Sequence, residues 1–202
     1  NIPEGASYCE ECGWGKFKSV PLQAFDTCVD CAAGKYAERQ SGASACVECE
    51  AGKYSEQIGR GLDECQVCAA GKYAHLPSGA SDCVDCAAGK FGPLSGQSNK
   101  TACVDCVAGK FSLVTGLASD TCEECTVGKY KAESGQPLDT CVACLAGQYA
   151  ENHGHTACKL CPSGKFGTQG QATSAEACNN ACPPHSQSAP GASAETDCKA
   201  GP

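Results

Sequence analysis

The stretch CAAGKYAERQSGASAC, running from Cys31 to Cys46, decides how this chain folds, because it returns as CAAGKYAHLPSGASDC from Cys68 to Cys83. Each copy opens on the second cysteine of a C-x-x-C turn and closes on the first cysteine of another. Internal self-similarity at a fixed period is the mark of a repeat architecture, and here it extends through the chain. Ten cysteine pairs recur: Cys9/Cys12, Cys28/Cys31, Cys46/Cys49, Cys65/Cys68, Cys83/Cys86, Cys103/Cys106, Cys122/Cys125, Cys141/Cys144, Cys158/Cys161 and Cys178/Cys182, with Cys198 left alone. All but the last are C-x-x-C. Nine of the ten are followed by x-x-Gly-Lys-aromatic, with Gln148 replacing Lys in one copy.

Composition explains why cysteine has to carry the fold. There are 21 cysteines in 202 residues, whereas Leu, Ile, Val and Phe together number only 26. So little apolar bulk cannot offset the entropy of ordering a chain this long. Cross-links supply the difference, since closing a loop of about 15 residues stabilises by roughly 3 kcal/mol in the chain-entropy model. Such cysteine density belongs in an oxidising, extracellular compartment, secreted or at the cell surface. There is no apolar run of the length that spans a bilayer, no visible signal peptide and no methionine. The chain therefore reads as a mature product or a fragment of something longer. A net charge of −8 argues against nucleic acid as a partner, because binding phosphates needs a basic face.

Each repeat position has a physical reading. The glycine of Gly-Lys-aromatic lets the backbone leave the C-x-x-C turn at positive φ and enter a strand. The rings of Phe17, Tyr36, Tyr54, Tyr73, Phe91, Phe111, Tyr130, Tyr149 and Phe166 start those strands. They are nine of the eleven Phe and Tyr residues, and they are expected to cover the disulfides as miniature cores. A second glycine at Gly42, Gly79, Gly96, Gly116, Gly135, Gly154, Gly170 and Gly191 reads as a hairpin turn. Acids inside the turns (Glu11, Asp30, Glu48, Asp85, Asp105 and Glu124) precede a lysine by five residues, which suggests a row of exposed ion pairs. Without a helical period, the fold class is small, disulfide-rich and all-β: an elongated tandem-repeat rod of short two-stranded hairpins with essentially no helix.

The stretches between successive pairs hold 15, 14, 15, 14, 16, 15, 15, 13, 16 and 15 residues, so the first of each couple is the longer. That double period favours two interlocked disulfides per double module: Cys9–Cys28 with Cys12–Cys31, Cys46–Cys65 with Cys49–Cys68, Cys83–Cys103 with Cys86–Cys106, Cys122–Cys141 with Cys125–Cys144, and Cys158–Cys178 with Cys161–Cys182. Cys198 stays unpaired in this scheme. A uniform ladder, from the second cysteine of each pair to the first of the next, stays open, because sequence alone does not determine connectivity. The corresponding division is a lead-in at 1–8, modules at 9–45, 46–82, 83–121, 122–157 and 158–197, and the start of a further module at 198–202.

Rival chemistries find little support. Paired C-x-x-C is also a zinc spacing, but an unbroken array would need a metal in nearly every loop. Calcium lacks the dense oxygen ligands it requires. His75, His153, His155 and His185 fall in variable loops with no repeating acid or nucleophile. No catalytic residue, no metal site and no cofactor is expected, and the chain is not read as an enzyme. Asn99-Lys100-Thr101 is a glycosylation sequon, so Asn99 is a candidate N-glycan acceptor.

C-x-x-C-x-x-G-K-Y with a glycine before the next cysteine resembles the ephrin-receptor-like cysteine-rich repeat. The closing stretch CPPHSQSAPGASAETDC, Cys182 to Cys198, is especially similar to it. The resemblance implies a small-β extracellular module akin to EGF-like and tumour-necrosis-factor-receptor cysteine modules, strung in arrays like those in large surface proteins of algae and protists. It fixes no ligand. Two functions follow as expectations: an extracellular structural spacer or filament-forming subunit that partners copies of itself or other matrix and surface proteins, or a partner-binding receptor or adhesion ectodomain.

Overall fold

The computed structural model describes residues 11–18, 28–136 and 141–200. Among these, the regular structure is strands of two or three residues and three single-turn 3-10 helices at Lys100–Ala102, Ala175–Ala177 and Glu195–Asp197. The chain is a small disulfide-rich all-β repeat array, and its unit is a disulfide-closed loop with a hairpin at its neck.

The loop opened by Cys31 shows how the sequence builds that unit. Lys35 N–H donates back to the Ala32 carbonyl at 3.1 Å, making a tight turn that Gly34 completes with φ of 80°. Lys35–Ala37 then pairs antiparallel with Val47–Glu48, and Cys49 N–H donates to the Gly34 carbonyl at 2.8 Å. This register brings Cys31 and Cys46 to a Cα separation of 5.7 Å, where they bond. The same hairpin forms across Lys16–Phe17 and Val29–Asp30, Lys72–Ala74 and Cys83–Asp85, and Lys110–Phe111 and Glu123–Glu124.

The disulfides are therefore a ladder: Cys12–Cys28, Cys31–Cys46, Cys49–Cys65, Cys68–Cys83, Cys86–Cys103, Cys106–Cys122, Cys125–Cys141, Cys144–Cys158, Cys161–Cys178 and Cys182–Cys198. This overturns the interlocked scheme. Cys9–Cys28 and Cys12–Cys31 do not form; nor do Cys46–Cys65, Cys49–Cys68, Cys83–Cys103, Cys86–Cys106, Cys122–Cys141, Cys125–Cys144, Cys158–Cys178 and Cys161–Cys182. Cys198, expected to be unpaired, closes the last loop on Cys182, while Cys9 lies outside the described residues. The reason is the hairpin itself. The two residues inside C-x-x-C form its return strand, so the first cysteine ends up at the neck of the preceding loop and the second opens the next.

The array divides into two compact units. One takes the residues up to Cys86 together with Gly92–Cys103, and the other takes Ala87–Phe91 together with the residues from Val104 onward. Within the first, the mid-loop glycine of each loop donates its N–H to the cysteine carbonyl that opens the preceding loop: Gly42 to Cys12, Gly59 to Cys31, Gly79 to Cys49 and Gly96 to Cys68, at 2.7–3.0 Å. Within the second, Gly135, Gly154, Gln171 and Gly191 do the same to Cys106, Cys125, Cys144 and Cys161. The glycine of Gly-Lys-aromatic adds a second link, as Gly34 N–H does to the Ser55 carbonyl at 2.8 Å.

Two glycine assignments change. Gly59, with φ of 71° and its N–H bonded to the Cys31 carbonyl, fills the mid-loop role in its loop and joins the glycines expected there. In the loop opened by Cys161 the left-handed residue is Gln171, with φ of 55°, rather than Gly170.

Phe111 and Phe166 are buried as expected of core rings, while other rings flank the core rather than fill it. The fully buried side chains are cysteines, among them Cys31, Cys49, Cys68, Cys106, Cys125 and Cys178, joined by Ala37, Ala74, Ala80 and Ala150. Phe17 packs on the cluster of Cys31, Ala37 and Ala43, and Tyr54 packs on that of Cys68, Ala74 and Ala80. Each of these rings thus caps the small-residue cluster of the following loop. A core of disulfides and alanines is what a chain with so few large apolar residues is able to assemble.

Candidate functional surface

The hairpins place four side chains per loop in a repeated order. Lys35 lies opposite Glu48 and Tyr36 opposite Val47, and since side chains alternate along a strand, the charged pair takes one face and the ring with its aliphatic partner takes the other. Phe17 opposes Val29, Tyr73 opposes Val84, Phe91 opposes Val104 and Tyr130 opposes Val142. These valines are exposed, Val29 at 54 % and Val142 at 53 %, so each unit presents a repeated aliphatic position to solvent.

The ion pairs exist, but with different partners from those the spacing suggested. Lysine pairs across the strands with the acid of the following turn, not with the acid five residues before it. Lys16 reaches Asp30 at 3.3 Å, Lys35 reaches Glu48 at 3.1 Å, Lys72 reaches Asp85 at 2.8 Å and Lys110 reaches Glu124 at 3.6 Å, while Lys90 pairs with Asp105. Lys53 faces Val67 rather than an acid and turns instead to Glu50 and Asp63 at 3.0 and 3.5 Å. Where Gln148 replaces lysine, Leu160 stands opposite.

Electrostatics follow this geometry. The Ser78 hydroxyl, followed by the Lys35 ammonium, holds the Glu48 carboxyl below its ordinary range. The bond to Asp85 raises the Lys72 ammonium. At the last 3-10 turn, Asp197 accepts from the Ser193 and Ala194 backbone N–H groups at 2.8 and 3.1 Å, and these bonds depress its carboxyl. All three groups are solvent-exposed and screened, so the pairs organise the surface more than they stabilise it.

His75 Nδ1 lies 3.4 Å from Asp82, and among the described residues no group of three His, Cys, Asp or Glu side chains is placed to hold a metal. Asn99, the sequon residue, is exposed and caps the first 3-10 turn, its side-chain oxygen accepting from Thr101 N–H at 3.0 Å. Lys131 was not singled out by sequence. It occupies the slot after the ring that Ala37, Ala74 and Ala150 fill elsewhere, and is only 3 % exposed. Its ammonium lies 5.6 Å from the centre of the Phe111 ring and 3.3 Å from the Gln136 carbonyl.

Residues 135–178 match the family model described as tyrosine-protein kinase ephrin type A/B receptor-like. Over this segment the array is similar to the ephrin-receptor-like repeat. That segment covers the disulfides Cys144–Cys158 and Cys161–Cys178, and the loops outside it keep the same ladder and the same hairpin, with the mid-loop hydrogen bond repeated at Gly42, Gly59, Gly79 and Gly96. A comparison with curated proteins found no match. An ephrin-receptor-like repeat is a receptor-type ectodomain module rather than an enzyme type. With ten disulfides it implies an extracellular or cell-surface location. Among the described residues no helix is long and apolar enough to cross a membrane.

Proposed function

We propose that this chain is an extracellular structural protein, a spacer or filament-forming subunit that associates with copies of itself or with other matrix and surface proteins. The observation that carries the reading is the sameness of the loop-to-loop link: a mid-loop N–H bonded to the opening cysteine carbonyl of the preceding loop, repeated within each unit at 2.7–3.0 Å. A spacer needs every repeat alike, whereas a specific binding site needs a local exception. Negative-stain imaging and sedimentation of secreted protein test it. Ordered filaments or concentration-dependent assembly are expected, and particles that stay single at all concentrations rule out the filament. A second reading, a partner-binding ectodomain, draws on the receptor-like description of the family matched at 135–178. Saturable one-to-one capture of a protein partner by single particles would favour it.

A further inference from the structure

Among the described residues, the sequon at Asn99 sits in a setting that no other loop reproduces. Three of the described loop ends carry a 3-10 turn before the closing cysteine, and the residues that begin those turns are Asn99, Ser174 and Ala194. Only Asn99 carries an amide, and its oxygen is engaged with Thr101 N–H. That bond engages the amide oxygen and leaves Nδ2 with no hydrogen-bond partner among the described residues. Asn99, Lys100 and Thr101 are all exposed. Asn99 also lines a groove of about 490 Å³ together with Tyr73, His75, Pro77 and Ser98, a combination of a ring, a proline face and polar groups that suits a sugar rather than an apolar ligand.

We propose that Asn99 is an occupied N-glycosylation site and that the first N-acetylglucosamine seats in the groove between Asn99 and the Tyr73–Pro77 segment. In the transfer, Nδ2 forms a bond to the anomeric carbon of a lipid-diphosphate-linked oligosaccharide. The bond from that carbon to the diphosphate oxygen breaks, the lipid diphosphate leaves, and Nδ2 gives one proton to the transferase base, with nothing oxidised or reduced. The product keeps its amide oxygen, so the bond to Thr101 N–H survives modification. The Tyr73 ring meets the sugar's C–H edge with its electron-rich face, and His75 and Ser98 offer hydrogen bonds to its hydroxyls.

The test uses the full chain secreted from a eukaryotic host. Enzymatic deglycosylation in heavy-oxygen water is expected to convert Asn99 to aspartate bearing one heavy oxygen, read by mass spectrometry on the peptide ending at Lys100. Thr101→Ala should abolish the label and Thr101→Ser should restore it. An unmodified Asn99 in correctly disulfide-bonded, secreted protein overturns the proposal. Seating is read separately: the acetyl methyl resonance of the first sugar should be displaced upfield by the Tyr73 ring current and return to its free position in Tyr73→Ala. A methyl already at its free position in the parent protein overturns the seating.

Discussion

Replacing Gly34 by alanine tests whether neighbouring loops are locked by backbone contact or merely hung on their disulfides. A methyl at Gly34 would lie 2.1 Å from the Gly79 carbonyl oxygen, and the residue sits at φ of 80°. Two costs add. A left-handed alanine is disfavoured by about 1–2 kcal/mol. Relieving the contact requires the Gly79 backbone to retreat by more than 1 Å to reach ordinary contact at 3.4 Å, an overpacking that costs about 1–3 kcal/mol. The retreat also strains the bonds from Gly34 N–H to Ser55 and from Gly79 N–H to Cys49, both 2.8 Å. Gly164 is the internal control. Its φ is 77°, yet a methyl there meets nothing within 4 Å among the described residues, so only the left-handed cost applies.

The difference between the two variants isolates the loop-to-loop term at about 2 kcal/mol, or roughly a 30-fold change in a local opening equilibrium. Because stability in a repeat array is local, hydrogen exchange is a better assay than global melting. In Gly34→Ala the Gly79 amide should exchange roughly 30-fold faster than the same amide in Gly164→Ala. The Gly191 amide, which bonds the opening cysteine of the loop containing Gly164, should respond to Gly164→Ala far less. Equal responses in the two variants would refute the idea that alternate loops are held in register by glycine–carbonyl contact.

Other outcomes follow from the same geometry. Partial reduction and mapping should recover Cys12 joined to Cys28 and Cys182 joined to Cys198, and a peptide joining Cys46 to Cys65 would contradict the ladder. Removing Cys31–Cys46 by a double serine substitution frees a loop with a separation of 15 residues, for a loss of about 3 kcal/mol, visible as rapid exchange confined to that loop and its neighbours. Lys131→Ala should destabilise by about 1–3 kcal/mol through a lost ring contact and a vacated slot, with Lys131→Met recovering most of it in denaturant unfolding. Asp197 has a folded carboxyl held below its ordinary value by backbone donors. Its contribution is therefore complete above the unfolded pKa and fades as pH falls through the folded one. Carbon-13 titration should show a depressed midpoint, and Ser193 amide protection should drop in parallel under acid.

Much of this was legible in the sequence, for identifiable reasons. The hairpin could be read because Gly34-Lys35-Tyr36 follows a C-x-x-C turn, and the strand that answers it, Val47–Glu48, is bounded by cysteines. The exposed lysines and acids were likewise visible, since both recur at a fixed offset from cysteine. Their pairing was not, because the nearer acid in sequence lies across the turn while the farther one lies directly opposite on the hairpin: Lys35 is five residues from Asp30 but in register with Glu48. The ring's role shifted for a similar reason. Tyr54 belongs by sequence to its own loop and by contact to the cluster of Cys68, Ala74 and Ala80 in the next. Lys131 left no signal at all, since a lysine after a tyrosine looks solvent-exposed until the Phe111 ring is placed beneath it.

The double period has a different physical origin from the one first assigned to it. The loops with the nearest wording, Cys31 to Cys46 and Cys68 to Cys83, are two apart, and the structure puts their backbones in contact, Gly34 against the Gly79 carbonyl. In the other unit Gly109 meets the Gly154 carbonyl, and Gly147 meets that of Gly191, again two loops on. Each disulfide constrains only its own loop, so covalent bonding has a period of one. Glycine–carbonyl contact instead reaches two loops on, from Gly15 to Gly59, Gly34 to Gly79 and Gly52 to Gly96, so the loops that touch through it are those of like length and wording. A side chain at Gly34 would press on the Gly79 carbonyl and separate loops that no disulfide joins, whereas the partner position supplies only a carbonyl, as Gln171 does towards Gly128.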